Sequence, residues 1–198
     1  MYQPTSDQDV LLKFARMAYD DHPDTRAFAA FPHDVIPQPV DPHSIPAAAL
    51  LASETALATT QYPDLRDAII AVGATAQWRE TYKGTHIGQD FLDRFGCYSI
   101  IGNGGPFTSE SLWMWAVYMP PHLHYPWHHH PGEEIYLVLA GQASFAKDGE
   151  APQILHPGMT SFHASNQPHA MTTFDHPVLC LVIWRNGFQT APVLTEDQ

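Results

Sequence analysis

The chain has 198 residues, 44% of them apolar, enough for one full-sized domain, alone or with a helical extension. Nine Lys and Arg against twenty-one Asp and Glu give a formal net charge of −12. That balance argues against nucleic acid and against an anionic membrane surface, both of which want a basic patch. Cys97 and Cys180 are too far apart in sequence for a zinc-type pair and too few for a disulfide framework. The opening residues MYQPTSDQDV lack the basic and apolar regions of a signal peptide, and no stretch approaches the ~18 apolar residues of a membrane span. The expected setting is a reducing, cytoplasmic one.

The first eighty or so residues read as helical. Ser6 and Asp9 form a candidate capping pair, and Val10, Phe14 and Met17, with Leu11 and Ala18 beside them, recur as on one helix face. His22-Pro23 ends that helix. A connector with prolines at 32, 37, 39, 42 and 46 follows. AAALLASETALA then reads as a helix, and Leu65, Ala68, Ile69 and Val72 mark another that runs to about Trp78.

The period changes after Gly84. CYSII, LWMWAVYM, EIYLVLAG, ASFAK, PQILH, MTSFH, HAMTTF and VLCLVIW are short β-branched or aromatic runs separated by Gly, Pro, Asn and Asp. Short strands without intervening helices predict a sandwich or small barrel. The chain therefore divides into a helical N-terminal extension over 1–84 and a mainly β domain over 85–198.

Residues 122–141 read HLHYPWHHHPGEEIYLVLAG. His128 and His130 are two apart and share one face of an extended strand, as do Glu134 and Tyr136. Pro131-Gly132 supplies a turn that folds the second pair beside the first, as one hairpin. Imidazole nitrogen with carboxylate oxygen suits Zn²⁺, Fe²⁺ or Mn²⁺. A fourth ligand would come from HPGMTSFHASNQPHAM downstream, where His163 and His169 both qualify and His169, just after a turn, is preferred. His122, His124 and His129 read as loop residues.

The run His128-x-His130-x-x-x-Glu134, then Gly141, Pro157-Gly158 and Pro168-His169, resembles the two-part signature of the cupin superfamily. That resemblance implies an antiparallel jelly-roll barrel whose interior holds one divalent metal on His128, His130, Glu134 and His169. Met159 stands where the second part of the signature usually has Asp. With Tyr125 upstream, Tyr136 two residues past Glu134 and a helical N-terminus, the chain is similar more narrowly to the small cupin-type dimethylsulfoniopropionate lyases of marine bacteria.

This narrower resemblance implies β-elimination of a zwitterionic small molecule, a carboxylate carrying a tertiary sulfonium, to acrylate and dimethyl sulfide. A divalent cation would acidify the proton beside the carboxylate and lower the pKa of a nearby phenol from about 10. Tyr136, on the Glu134 face, is the leading base; Tyr125 is its rival or a group that orients substrate. Tyr82, Trp127 and Trp184 are candidates for holding the sulfonium against an aromatic face. Another metal-dependent cupin enzyme (a dioxygenase or isomerase on a small organic acid) and a non-enzymatic binding cupin are the alternatives, and the chain is expected to be a monomer or homodimer.

Overall fold

The computed structural model describes residues 3–195; positions 1–2 and 196–198 of the two expected segments lie outside the described residues. Five helices lie within residues 6–94: α1 (Ser6–Asp21), α2 (Pro23–Phe28), α3 (Pro46–Ser53), α4 (Pro63–Gly73) and α5 (Gln89–Arg94). Proline opens α2, α3 and α4, where its fixed φ suits the first turn and its missing N–H would have had no partner.

The sequence expectations for the helices need three corrections. The cap of α1 is Thr5, one residue before the expected pair. Its hydroxyl accepts from Gln8 N, and the Gln8 side chain, longer than that of Asp9, reaches back to Thr5 N at 2.9 Å. The buried face is Leu11, Ala15, Ala18 and Tyr19, whereas Val10 and Met17 are 42% and 49% exposed. The face is turned by about one residue because Tyr19 is drawn inward, its hydroxyl donating to Ala29 O at 2.6 Å. Finally, α3 stops at Ser53 and α4 at Gly73, short of the expected ends. The chain turns back after α4 so that the Trp78 indole donates to Gly73 O at 2.7 Å and Trp78 bridges to Tyr98.

The strands are β1 (Ile36–Pro37), β2 (Gly96–Ile101), β3 (Phe107–Thr108), β4 (Trp113–Met119), β5 (His124–His129), β6 (Glu133–Gly141), β7 (Ala143–Lys147), β8 (Gln153–Leu155), β9 (Thr160–His163), β10 (His169–Thr172), β11 (Val178–Arg185) and β12 (Val193–Leu194). They form a seven-stranded sheet, β1-β3-β2-β4-β11-β6-β9, and a five-stranded sheet, β12-β5-β10-β7-β8. All pairings are antiparallel except the short β2–β3 contact. The architecture is the expected mainly β jelly-roll barrel with helices at its N-terminal end.

Strand parity explains why β4, β6 and β11 read as unbroken apolar runs. Met114, Ala116, Tyr118, Ile135, Leu137, Leu139, Leu179, Leu181 and Ile183 share one cluster with α1, α3 and α4, on the outer face of the large sheet. The alternate residues Trp115, Val117, Tyr136, Val138, Cys180, Val182 and Trp184 form a second cluster, inside the barrel, with Tyr82, Phe91, Phe95 and Tyr125. The long helices thus back the sheet, and it is the 79–95 segment, with α5, that reaches the barrel interior.

The expected hairpin between the His pair and the Glu–Tyr pair does not form. β5 pairs with β10 and β12, while β6 pairs with β11 and β9, so residues 130–132 cross from one sheet to the other. Gly132 is closely packed at that corner: a Cβ there would lie 3.2 Å from both the Trp184 ring and Asn186 O, a tight contact. Cys97 and Cys180 are both free and both opposite Val117, on strands either side of it. Two strand spacings, roughly 9.5 Å, put their backbones beyond disulfide reach.

Candidate metal centre and its cavity

The barrel interior brings side chains from both sheets to one point. Glu134 in β6 stands directly opposite Trp184 in β11 on one side and His163 in β9 on the other. From the small sheet, His169 stands opposite His128, and His130 follows β5 at the corner. His128, His130, Glu134, His163 and His169 are each no more than 2% exposed. His129, between two of them, faces outward and bonds Thr195.

His130, Glu134 and His169 form a group whose ligand atoms all lie within 4.8 Å of one another. His128 adjoins it, its ring centroid 4.0 Å from that of His169. Three of these imidazoles are oriented in the same way. His128 Nδ1 bonds Pro126 O at 2.8 Å, His130 Nδ1 bonds Gly132 O at 2.8 Å, and His169 Nδ1 bonds Gln167 O at 2.9 Å. A carbonyl only accepts, so each Nδ1 carries the proton and each Nε2 presents a lone pair.

The Nε2 atoms of His130 and His169 are buried and have no hydrogen-bond partner among the described residues. They lie 3.5 and 3.1 Å from Glu134 Oε2. Acceptors facing acceptors in a buried site are costly, and a cation among them would satisfy all three. The donor set therefore fits a divalent metal.

Electrostatics agree. Burial opposes ionisation of Glu134, but hydrogen-bond donation from the histidine cluster, with His163 Nδ1–H as the donor, outweighs it and holds the carboxyl well below its usual range. Burial, reinforced by the nearby His169, keeps His128 well below the ordinary imidazole value. Neutral imidazoles and an ionised carboxylate are the forms that ligate metal.

His163 is differently placed from the other histidines. Its Nδ1–H donates to Glu134 Oε2 at 2.8 Å, and its Nε2 accepts from the Ser161 hydroxyl at 2.9 Å. Both nitrogens are occupied, so it holds the carboxylate and has no lone pair to offer. Burial, then His169, lowers its pKa to about 4. The other carboxylate oxygen, Oε1, accepts the Trp184 indole N–H at 2.6 Å. Trp184 also stacks on His130, with centroids 3.9 Å apart.

A cavity of about 110 Å³ opens beside the group, lined by Tyr125, His128, Glu134, Tyr136 and Trp184 among others. At about 10–15 Å³ per water position this admits a small organic molecule and excludes a polymer. The Tyr136 hydroxyl makes no hydrogen bond to another described residue. Burial, and next the Glu134 charge, push its pKa well above 10. Tyr125 lies flat on His128, at 3.8 Å and 9°, and shares a 2.7 Å hydrogen bond with the Tyr82 hydroxyl.

Two of the aromatic candidates for the sulfonium are not wall residues. Tyr82 stands behind Tyr125, outside the cavity lining. Trp127 is 38% exposed and points out of the barrel, because position 127 has the opposite parity to His128, and it is absent from the cavity lining. The sequence reading passed over Arg79 and Phe188, which line the cavity, and weighed Trp113 and Trp115 as core or lip packing that could line a pocket, as they do. It weighed His163 only as a ligand. The signal for its actual position was the two-residue spacing of Ser161 and His163, which puts both on the inner face of β9.

Residues 25–180 match the family model for DMSP (dimethylsulfoniopropionate) lyase. The dimethylsulfoniopropionate lyase DddQ of Ruegeria pomeroyi is 51% identical over 188 residues, 95% of this chain and 93% of that protein. The crystal structure of DddQ from Ruegeria pomeroyi superposes with a TM-score of 0.95 at 49% identity, covering 98% of this chain and all of that one. A solved structure from work on the DMSP lyases RdDddP and RnDddQII gives 0.92 at 37% identity, covering 96% and 98% of the two chains.

Proposed function

The chain belongs to the dimethylsulfoniopropionate lyase family, and from that premise we propose how its residues divide the work of cleaving dimethylsulfoniopropionate to dimethyl sulfide and acrylate. The protein is a carbon–sulfur lyase. His130, Glu134 and His169, with His128 beside them, hold one divalent ion, for which zinc, iron and manganese all suit the donor set. When bound, such an ion supplies Lewis acidity and the positive charge that favours an ionised phenol.

The chain's own groups do the rest. Tyr136, with a free hydroxyl in the cavity, takes the proton from the carbon next to the substrate carboxylate. The C–H electron pair becomes the new C=C bond, the C–S pair leaves with sulfur as neutral dimethyl sulfide, and the proton stays on the phenol oxygen until it passes to water. No strong acid is needed for that leaving group. Tyr125, tied to Tyr82 and stacked on His128, orients substrate over the site. His163 and Trp184 fix the two oxygens of Glu134. Trp113 and Phe188 offer aromatic faces for the sulfonium, in place of Trp127 and Tyr82. Two free, buried cysteines are compatible with a cytoplasmic setting, and no helix among the described residues is long and apolar enough to cross a membrane.

The observation that carries this reading is the common orientation of three buried imidazoles, each protonated toward a carbonyl and presenting Nε2 to the interior. The direct test is headspace detection of dimethyl sulfide from the purified protein and dimethylsulfoniopropionate, before and after chelation. Release that chelation leaves untouched would remove the metal from the proposal; no release at all would remove the activity.

A further inference from the structure

Arg79 is the cationic side chain in the wall of the catalytic cavity. Its backbone N–H bonds Cys97 O at 2.9 Å, which fixes it alongside β2, and its guanidinium lies over the Trp115 ring, 4.6 Å from the centroid. Each of the other arginines has an oxygen acceptor: Arg16 and Arg26 on Asp20, Arg66 on Asp67, Arg94 on Asp90 and Arg185 on Glu133. The Arg79 guanidinium has none among the described residues. The adjacent carboxylate, Glu80, is engaged by Lys83 at 2.9 Å and His43 at 3.4 Å. Beneath the guanidinium, the buried Trp115 indole N–H is likewise without an acceptor.

The position is as telling as the missing partner. Arg79, Thr81 and Asn103 line both the catalytic cavity and a separate, more open depression walled by His43, Gln77 and Trp78. Arg79 therefore stands at the junction, or neck, between the cavity and this open depression. We propose that Arg79 is the carboxylate-receiving residue of this enzyme, a specificity determinant that admits the substrate carboxylate end first at the neck and holds acrylate there as it leaves.

The charge balance gives this role a reason. A chain of net charge −12 repels an anion, and a zwitterion feels little net steering. A fixed guanidinium at the entrance converts a weak field into an oriented one, and its planar fork matches a carboxylate better than an ammonium does. Carboxylate-first entry puts the acidic C–H bond inward, toward Tyr136, and leaves the sulfonium trailing. Because Arg79 sits at the neck and not at the His130–Glu134–His169 group, it acts on binding and not on the chemical step.

This inference rests on the lyase reading, and the experiment separates the two. Arg79→Gln and Arg79→Lys are compared with the parent protein for metal content, for steady-state kinetics on dimethylsulfoniopropionate and for acrylate binding by titration calorimetry. Arg79→Gln should raise KM and the acrylate dissociation constant about tenfold, the worth of one charge-assisted contact. Its kcat and metal content should stay near those of the parent, and Arg79→Lys should recover part of the loss. Unchanged KM and acrylate affinity would overturn the proposal, as would a lower KM, the result expected if the guanidinium chiefly repelled the sulfonium. If the parent protein released no dimethyl sulfide, the lyase reading would fail, and loss of acrylate binding in Arg79→Gln would still decide the role of the arginine.

Discussion

The indole N–H of Trp184 donates to Glu134 Oε1 at 2.6 Å, between two residues that stand directly opposite each other in neighbouring strands. With His163 on the other oxygen, the carboxylate has its plane set before any ligand arrives. Trp184→Phe keeps a ring to stack on His130 and removes the donor. Partners of this kind are worth about 10–100-fold in metal affinity. The variant should fold normally and lose metal at least tenfold more readily in competition with a chelator, by elemental analysis after dialysis. Retention equal to the parent would show that the contact orients nothing.

Tyr136→Phe should keep the metal and lose turnover by about 10²–10⁴-fold, the usual worth of a positioned base. The hydroxyl has no structural hydrogen bond to lose, so the fold should be unaffected. Tyr125→Phe is the informative companion. Its hydroxyl is held by Tyr82, so removing it should raise KM more than it lowers kcat. A Tyr125→Phe variant with the larger fall in kcat would exchange the two roles.

His130→Ala removes one of the clustered ligand atoms and should lose both metal and activity. Chelation of the parent protein should lower its Tm as well, because anything bound only to the folded state stabilises it. Saturation a hundredfold over the dissociation constant is worth about 2.7 kcal/mol. For a chain of this size that corresponds to a fall of roughly 5–10 °C. A Tm indifferent to chelator, with the parent shown to contain metal beforehand, would count against a buried ion at this group.

Trp127→Ala should leave KM and kcat within about twofold of the parent, as an outward side chain predicts. A rise in KM as large as that for Arg79→Gln would mean that Trp127 turns inward when substrate binds.

The difference between Trp127 and Trp184 shows what the sequence made legible. Strand parity put His128 with His130, and Glu134 with Tyr136, on shared faces, and the same rule, applied one residue along, puts Trp127 on the other one. What parity could not supply was which strands neighbour β6. The register that sets Trp184 and His163 either side of Glu134 depends on β9 and β11, tens of residues downstream. The turn at Pro131-Gly132 was legible as a turn, but a hairpin and a crossing between sheets use the same residues. Arg79 carried a faint signal, an arginine in a chain poor in them, and only the packing shows that it lacks a partner. In α1, a hydrophobic pattern with apolar residues on nearly every side left the buried face to be chosen by Tyr19.

That choice has a consequence at alkaline pH. Tyr19 is buried and donates to Ala29 O at 2.6 Å. Burial, and then the charge of Asp20, raise its pKa from 10.0 to about 12. The folded state therefore favours the protonated phenol more than the unfolded chain does. The stability this contributes is fully present below pH 10 and is lost as pH rises through about 12. Tyr19→Phe should cost about 1 kcal/mol near neutral pH, where it deletes one hydrogen bond and leaves a carbonyl unpaired. It should also fall less between pH 8 and pH 11 than the parent does. The fall should not vanish, because burial raises the phenols of Tyr62 and Tyr118 as well. Tm measured at both pH values for both proteins decides the matter: equal falls would mean that Tyr19 does not govern the alkaline limb.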